Sequence, residues 1–137
     1  MHFFLFIGLL FFLNHVNAQP ANNDSIKTDG AVKKEAKISK TLYGIASYYA
    51  EKFNGRKTAN GEIYDSKKMT AACNVLPLGT WIRVTNLSNN RSVIVKTNDR
   101  MHARMKRIVD LSRAAAQKLG YTGKGLTRVK VEVLQKK

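Results

Sequence analysis

Cysteine is nearly absent from this chain of 137 residues, with Cys73 standing alone. No intrachain disulfide can therefore staple the fold, and apolar burial has to hold it together. A lone thiol of this kind is read as buried and inert. Acidic side chains are also scarce: nine Asp and Glu face 24 Lys and Arg, a formal net charge of +15. Histidine occurs at positions 2, 15 and 102 only. The first two lie in an N-terminal segment expected to be removed, so Cys73 and His102 remain as soft ligands, too few for a zinc cage. No metal and no cofactor are expected. A membrane-spanning run is missing as well. The apolar stretch Phe3 to Leu13 would rise about 16 Å as a helix, roughly half of a bilayer core.

That stretch, followed by Val16-Asn17-Ala18, reads as a signal peptide over residues 1–18, although no Lys or Arg precedes it. The expected product is exported to the periplasm or cell envelope and keeps no stable membrane anchor. No cysteine stands at the cleavage site, which excludes lipid attachment there. Residues 1–18 contain no Asp, Glu, Lys or Arg, so the whole positive charge belongs to the mature chain. Such a field draws polyanions. Export and the scatter of the charges argue against nucleic acid, and the anionic cell envelope fits the compartment.

Residues 19–40 are polar, Lys-rich and free of aromatics, and are expected to form a flexible linker. A single domain is expected over 41–137. Leu42 to Tyr49 has strand composition, and Asn54-Gly55 and Asn60-Gly61 mark turns. Trp81 to Leu87 and Arg91 to Thr97 predict a hairpin joined through Ser88-Asn89-Asn90. Arg113 to Leu119 predicts a short helix, with Gly120 as its C-terminal cap and either Asp110 or Ser112 at its start. Thr127 to Val133 alternates with period two, as a half-buried strand does. Short strands with little helix predict a mainly β fold, a barrel or a sandwich.

The most suggestive stretch is Thr97 to Leu119, which sets Asp99 and Asp110 at the ends of a basic, irregular segment. Two carboxylates outside any regular apolar pattern invite general acid and base chemistry. Each also has a plain structural reading, Asp110 as a helix cap and Asp99 as a turn former.

The runs GIASYYAEKFNGRKTANGEIYD, MTAACNVLPLGTWIRVTNLSNNRSVIVKTNDR and RIVDLSRAAAQKLG, in this order, resemble the rare lipoprotein A (RlpA) family of peptidoglycan lytic transglycosylases. The resemblance covers Tyr43 to Val133. It implies a six-stranded double-psi β-barrel with one or two short helices, and endolytic cleavage of the N-acetylmuramic acid to N-acetylglucosamine bond with formation of a 1,6-anhydro end. It further implies Asp110, Asp99 and Glu62 as catalytic residues, with Asp65, Tyr48, Thr58 and Arg100 binding substrate. Peptidoglycan glycan strands would be the partner of a monomer. Two departures stand out. Cys73 occupies a place where the family has His, removing an imidazole able to orient a carboxylate, and Met101-His102 replaces Gly-Pro after Asn98-Asp99-Arg100. His102 is a candidate replacement for that imidazole. The alternative function is a non-catalytic wall-binding or wall-loosening barrel of the expansin kind.

Overall fold

The computed structural model describes residues 36–135. The expected leader and most of the expected linker, through residue 35, lie outside the described residues. Six strands form one closed barrel: β1 (Ile38–Tyr48), β2 (Thr70–Ala72), β3 (Trp81–Asn86), β4 (Ser92–Asp99), β5 (Val109–Leu111) and β6 (Thr127–Leu134). Their order around the barrel is β1-β5-β2-β4-β3-β6. A helix, α1 (Arg113–Leu119), links β5 to β6, and a short 3₁₀ turn occupies Glu51–Phe53. This is the mainly β, six-stranded architecture that the resemblance implies.

The long strands follow from alternation. In β3, Ile82 and Val84 are buried while Trp81 is exposed; in β6, Val129 and Val131 are buried while Arg128 is exposed. These residues join Val95, Val109, Leu111, Ala46 and Ala71 in one core. Each buried Val or Leu contributes about 1.5–3 kcal/mol. The hairpin of β3 and β4 forms as expected, with Val84 opposite Val93. Asn90 takes φ 59° in its turn, a left-handed conformation that Asn tolerates better than most residues. Ser112, not Asp110, caps α1 by accepting from the Ala115 N–H at 3.3 Å. Gly120 ends the helix at φ 77°.

Two features depart from expectation. Strand β1 begins at Ile38, ahead of Thr41, because Ile38 pairs with Leu134 of β6. Its start, Ile38-Ser39-Lys40-Thr41, carries no apolar alternation, and the backbone of β6 supplies the partner. Strands β2 and β5 have three residues each, too short for a periodic pattern to be read. They exist because β5 runs parallel to β1 and antiparallel to β2, while β2 runs parallel to β4.

Gly44 lets β1 approach the segment before β5, since a Cβ there would lie 2.8 Å from the Ile108 Cβ. Beside it the backbone closes, with the Ile108 N–H donating to the Ile45 carbonyl at 2.9 Å. Residue 108 is thereby pinned to the barrel two positions before Asp110.

On the outer face, Arg83 of β3 and Glu132 of β6 are cross-strand partners. The guanidinium donates from Nε and Nη2 to the two carboxylate oxygens at 3.1 Å each, and the Lys130 Nζ lies 3.5 Å away. The Arg83 hydrogen bonds, and then the charges of Arg83 and Lys130, hold the Glu132 carboxyl below the usual carboxylate range against the opposing effect of burial. A carboxyl lowered in the folded state contributes its full stability above its unfolded value, near pH 4.3, and loses it as pH falls through the folded value. Glu132→Gln is therefore expected to cost about 1–2 kcal/mol at neutral pH, Arg83 being partly solvated, and to flatten the acid side of a Tm-against-pH curve. Parallel curves for the two proteins would remove this pair from the stability of the barrel.

Candidate functional site

Asp110 is the middle residue of β5. Its neighbours Val109 and Leu111 point into the core, so alternation turns the Asp110 carboxylate outward, with its side chain 18% exposed. In register, Asp110 sits opposite Ala72 of β2, and on the other side Ala72 partners Asp99 of β4. The two aspartates thus flank one alanine in a row across three strands, their Cα atoms about two strand spacings, or about 10 Å, apart. A cavity of about 540 Å³ opens over this row. Its lining includes both aspartates, Ala72, Tyr48, Tyr49 and Arg107.

Asp99 reaches this row through a bulge. Along β4 the outward positions are Ser92, Ile94 and Lys96, with Val93, Val95 and Thr97 buried. Strict alternation would turn Asn98 outward and Asp99 inward. The register instead slips between Ala71 and Ala72, so Ala71 pairs with Thr97 but Ala72 pairs with Asp99. Asn98 is left over and buried, and Asp99 is re-aimed to the side of Asp110, as bulges beside functional sites do.

The two carboxylates differ in their surroundings. Asp99 is held by three donors: its Oδ1 accepts the backbone N–H groups of Ala59 at 2.9 Å and Arg100 at 2.8 Å, and its Oδ2 accepts the Tyr49 hydroxyl at 2.6 Å. Burial, and next the bond to Asp99, push the Tyr49 phenol far above its ordinary range, so it remains a donor. Asp110 is anchored on one side only. Its Oδ1 accepts the Ser47 hydroxyl and lies 3.4 Å from the Arg107 Nε, whereas its Oδ2 accepts no hydrogen bond among the described residues. Ser47 is itself held by the Tyr121 hydroxyl, which donates to the Ser47 carbonyl at 2.8 Å. Burial first, and the charge of Asp110 second, raise that phenol well above its ordinary range.

Of the other residues singled out in the sequence, Tyr48 and Arg100 line the cavity. The Tyr48 ring packs edge-on against Tyr121 at 5.9 Å. The Arg100 Nη1 donates to the carbonyls of Cys73 and Leu76, which ties down the loop after β2. Glu62, Thr58 and Asp65 do not line the cavity. Glu62 accepts from Asn60 Nδ2 at 2.8 Å and Asn98 Nδ2 at 3.2 Å, and these bonds, Asn98 first, hold its carboxyl below the usual range. Asn98 being the bulge residue, Glu62 braces the turn that presents Asp99. Thr58 is buried, and Gly61 N–H donates to its carbonyl at 3.0 Å. Asp65 accepts the Lys67 N–H at 2.9 Å in a local turn.

The substitution at Cys73 touches packing, not the cavity. Its side chain is 1% exposed within the core, and the thiol does not line the space between the aspartates. His102 does line it. Its Nδ1 accepts the Arg104 N–H at 3.2 Å, which leaves Nε2 to carry the proton of the neutral ring. It makes no hydrogen bond to either aspartate. Ser47, Tyr49, Ala72 and Arg107 complete the arrangement, yet the spacing of the sequence does not distinguish them from ordinary strand and loop residues. Trp81 lies elsewhere, under the Lys96 ammonium at 5.9 Å.

The family described as lytic transglycolase matches residues 41–131. A Pasteurella multocida protein named endolytic peptidoglycan transglycosylase RlpA is 54% identical over 92 residues, covering 67% of this chain and 31% of that one. Its namesake in Pseudomonas aeruginosa is 56% identical over 91 residues, 66% and 27% of the two chains. That of Campylobacter jejuni is 39% identical over 147 aligned positions, 93% and 54%. The chain spans under a third of the length of the first two. Among solved structures, the Streptomyces papain inhibitor shares the fold at TM-score 0.59 and 21% identity, over 74% of this chain and 100% of that one. A Clavibacter michiganensis expansin does so at 0.57 and 21%, over 72% and 52%. Matched over most of the described barrel, the chain belongs to the lytic transglycolase family, as an RlpA-type double-psi β-barrel.

Proposed function

We propose that this protein is an endolytic peptidoglycan transglycosylase, exported to the cell envelope behind residues 1–18 and acting as a monomer on glycan strands. The observation that carries the reading is the row Asp99-Ala72-Asp110 beneath one cavity, with an Asp110 oxygen left unengaged. Ala72 adds only a methyl group to the floor, which leaves room for the linkage between two sugar rings. Asp110, protonated, donates to the glycosidic oxygen as the bond from C1 of the muramic residue breaks. The C6 hydroxyl of the same sugar then attacks C1, and the Asp110 carboxylate takes up its proton. One bond to C1 is exchanged for another, the carboxyl regains its proton, and no water enters. A single carboxyl therefore suffices where hydrolases use a pair.

Asp99 has a different part. Fixed by three donors, it offers a preorganised negative charge facing the positive charge that develops at C1, where such preorganisation is most effective. Tyr48, half-buried on the cavity wall, offers a ring face and edge to a sugar. Glu62 and Thr58 act through the loop that braces Asp99, Arg100 acts through the loop after β2, and Asp65 holds its own local turn. The test is to incubate the purified chain with isolated glycan strands and to look by mass spectrometry for 1,6-anhydro ends. Their appearance supports the enzyme. Strand binding without new ends would leave a wall-binding module.

A further inference from the structure

A second hollow, of about 420 Å³, shares no lining residue with the cavity over the aspartates. Ile45 of β1, Leu87 just after β3 and Leu126 just before β6 give it an aliphatic lining, and Lys124 and Arg128 are its charged groups. Backbone pairing places it on another part of the barrel wall. From Ser47 the aspartate row runs across β5, β2 and β4. From Ile45, two positions earlier, the pairing runs the other way, to Arg128 of β6. The Leu87 N–H then donates to the Arg128 carbonyl at 3.0 Å. Alternation turns these side chains outward, since Ala46 and Val129 beside them are buried in the core.

One exposed leucine is ordinary on a protein surface. Here Leu126 is 48% exposed, Leu87 41% and Ile45 36%, all around one hollow. Leu126 follows the run Gly123-Lys124-Gly125, where an added Cβ on either glycine would meet nothing within 4 Å, so this loop stands clear of the barrel. Tyr43, 65% exposed, lies in the next row opposite Lys130. The charges are all of one sign. No Asp or Glu lines the hollow, and neither Lys124 nor Arg128 has an ion pair among the described residues. Glu132, the carboxylate on β6, is engaged by Arg83 and Lys130.

We propose that this hollow and its rim are a docking surface for an anionic phospholipid bilayer, on which the barrel rests while the cavity over the aspartates stays open. The charge complementarity is direct: cations near an anionic leaflet are drawn to its headgroups within a Debye length. The aliphatic side chains then leave water among the headgroups, and a tyrosine suits the same boundary, with an apolar ring and a polar tip. A soluble polyanion would answer Lys124 and Arg128 but leave the leucines wet. The inference stands apart from the proposed reaction, because no residue of the cavity lining takes part in it.

The test is cosedimentation with vesicles of phosphatidylcholine, with and without phosphatidylglycerol, at physiological ionic strength. It uses the chain from Gln19 onward, the form that export would leave, which keeps the whole barrel. Uptake by the anionic vesicles is expected, at least about tenfold above the neutral ones. Lys124→Gln with Arg128→Gln should lower it about tenfold or more, each cation at an anionic surface being worth about fivefold. Leu87→Ser with Leu126→Ser should lower it about tenfold as well, through apolar contact alone. All four side chains are exposed, so Tm is expected to hold. The control is Lys67→Gln with Lys68→Gln, in the segment entering β2, which stands opposite β6 in the barrel order. It removes the same charge and should lower uptake only about twofold. Equal losses from the two lysine and arginine sets would assign binding to diffuse charge and overturn the proposal. Loss with the cation pair but none with the leucine pair would mark a soluble polyanion as the occupant, and self-association abolished by the leucine pair, without vesicle uptake, would mark a second copy of the chain; either result overturns the bilayer.

Discussion

Asp110→Asn protein is expected to release 1,6-anhydro ends at least about 10³-fold more slowly than the unmodified chain, the scale of a lost general acid, while its Tm moves by only a few degrees. The small structural effect follows from what Asp110 touches. An amide oxygen can still accept the Ser47 hydroxyl, and the lost ion pair with a partly exposed Arg107 is worth at most about 1 kcal/mol. The large chemical effect follows from the free oxygen. With the amide oxygen turned to Ser47, the amide nitrogen faces the cavity, where it has no acidic proton to give and no lone pair able to take one from a C6 hydroxyl. Undiminished formation of anhydro ends by this variant would move the acid away from Asp110 and leave the β5 carboxylate a structural group.

The opposite balance is expected at Asp99. Asp99→Ala strands two backbone N–H groups, of Ala59 and Arg100, and the hydroxyl of the half-buried Tyr49. Unpaired donors of this kind cost about 1–3 kcal/mol each when water cannot reach them. Ala59 and Arg100 are partly open to solvent, so the expected loss is about 2–4 kcal/mol, a fall in Tm of roughly 10–20 °C for a domain this small. Denaturant unfolding measures it. Asp99→Asn keeps a carbonyl oxygen for part of the set and should lose about half as much. Its activity should nevertheless fall well below that of the unmodified chain, because the fixed charge opposite C1 is gone. An unchanged unfolding midpoint in Asp99→Ala would show that the three bonds do not anchor these loops, and with that the preorganised role of Asp99 would fail.

These contrasting roles could not be read from residue order. Both aspartates stand in one irregular basic stretch, and each is equally a turn or cap residue by pattern. Ser112 is the helix cap, which releases Asp110 for the cavity. Glu62, prominent in its Thr-Ala-Asn-Gly-Glu run, braces the Asn98 bulge from outside the cavity. Cys73 packs into the core, and the imidazole that lines the cavity among the described residues belongs to His102. In each case a side chain's direction depends on the strand beside it.

What the amino-acid order determined by itself were properties that are local or additive: the cationic charge, the lack of disulfides, the β3-β4 hairpin, the short capped helix, the alternation of β6 and the family motifs. Periodicity and turn chemistry act over a few neighbouring residues, so they survive being read one residue at a time. Tertiary structure alone decided that three-residue segments at positions 70 and 109 become barrel strands, that an extra residue at Asn98 swings Asp99 around, and that Ser47 and Arg107 meet Asp110. Those outcomes come from pairing between segments far apart in the chain, where barrel closure supplies the partner and no neighbour in sequence announces it.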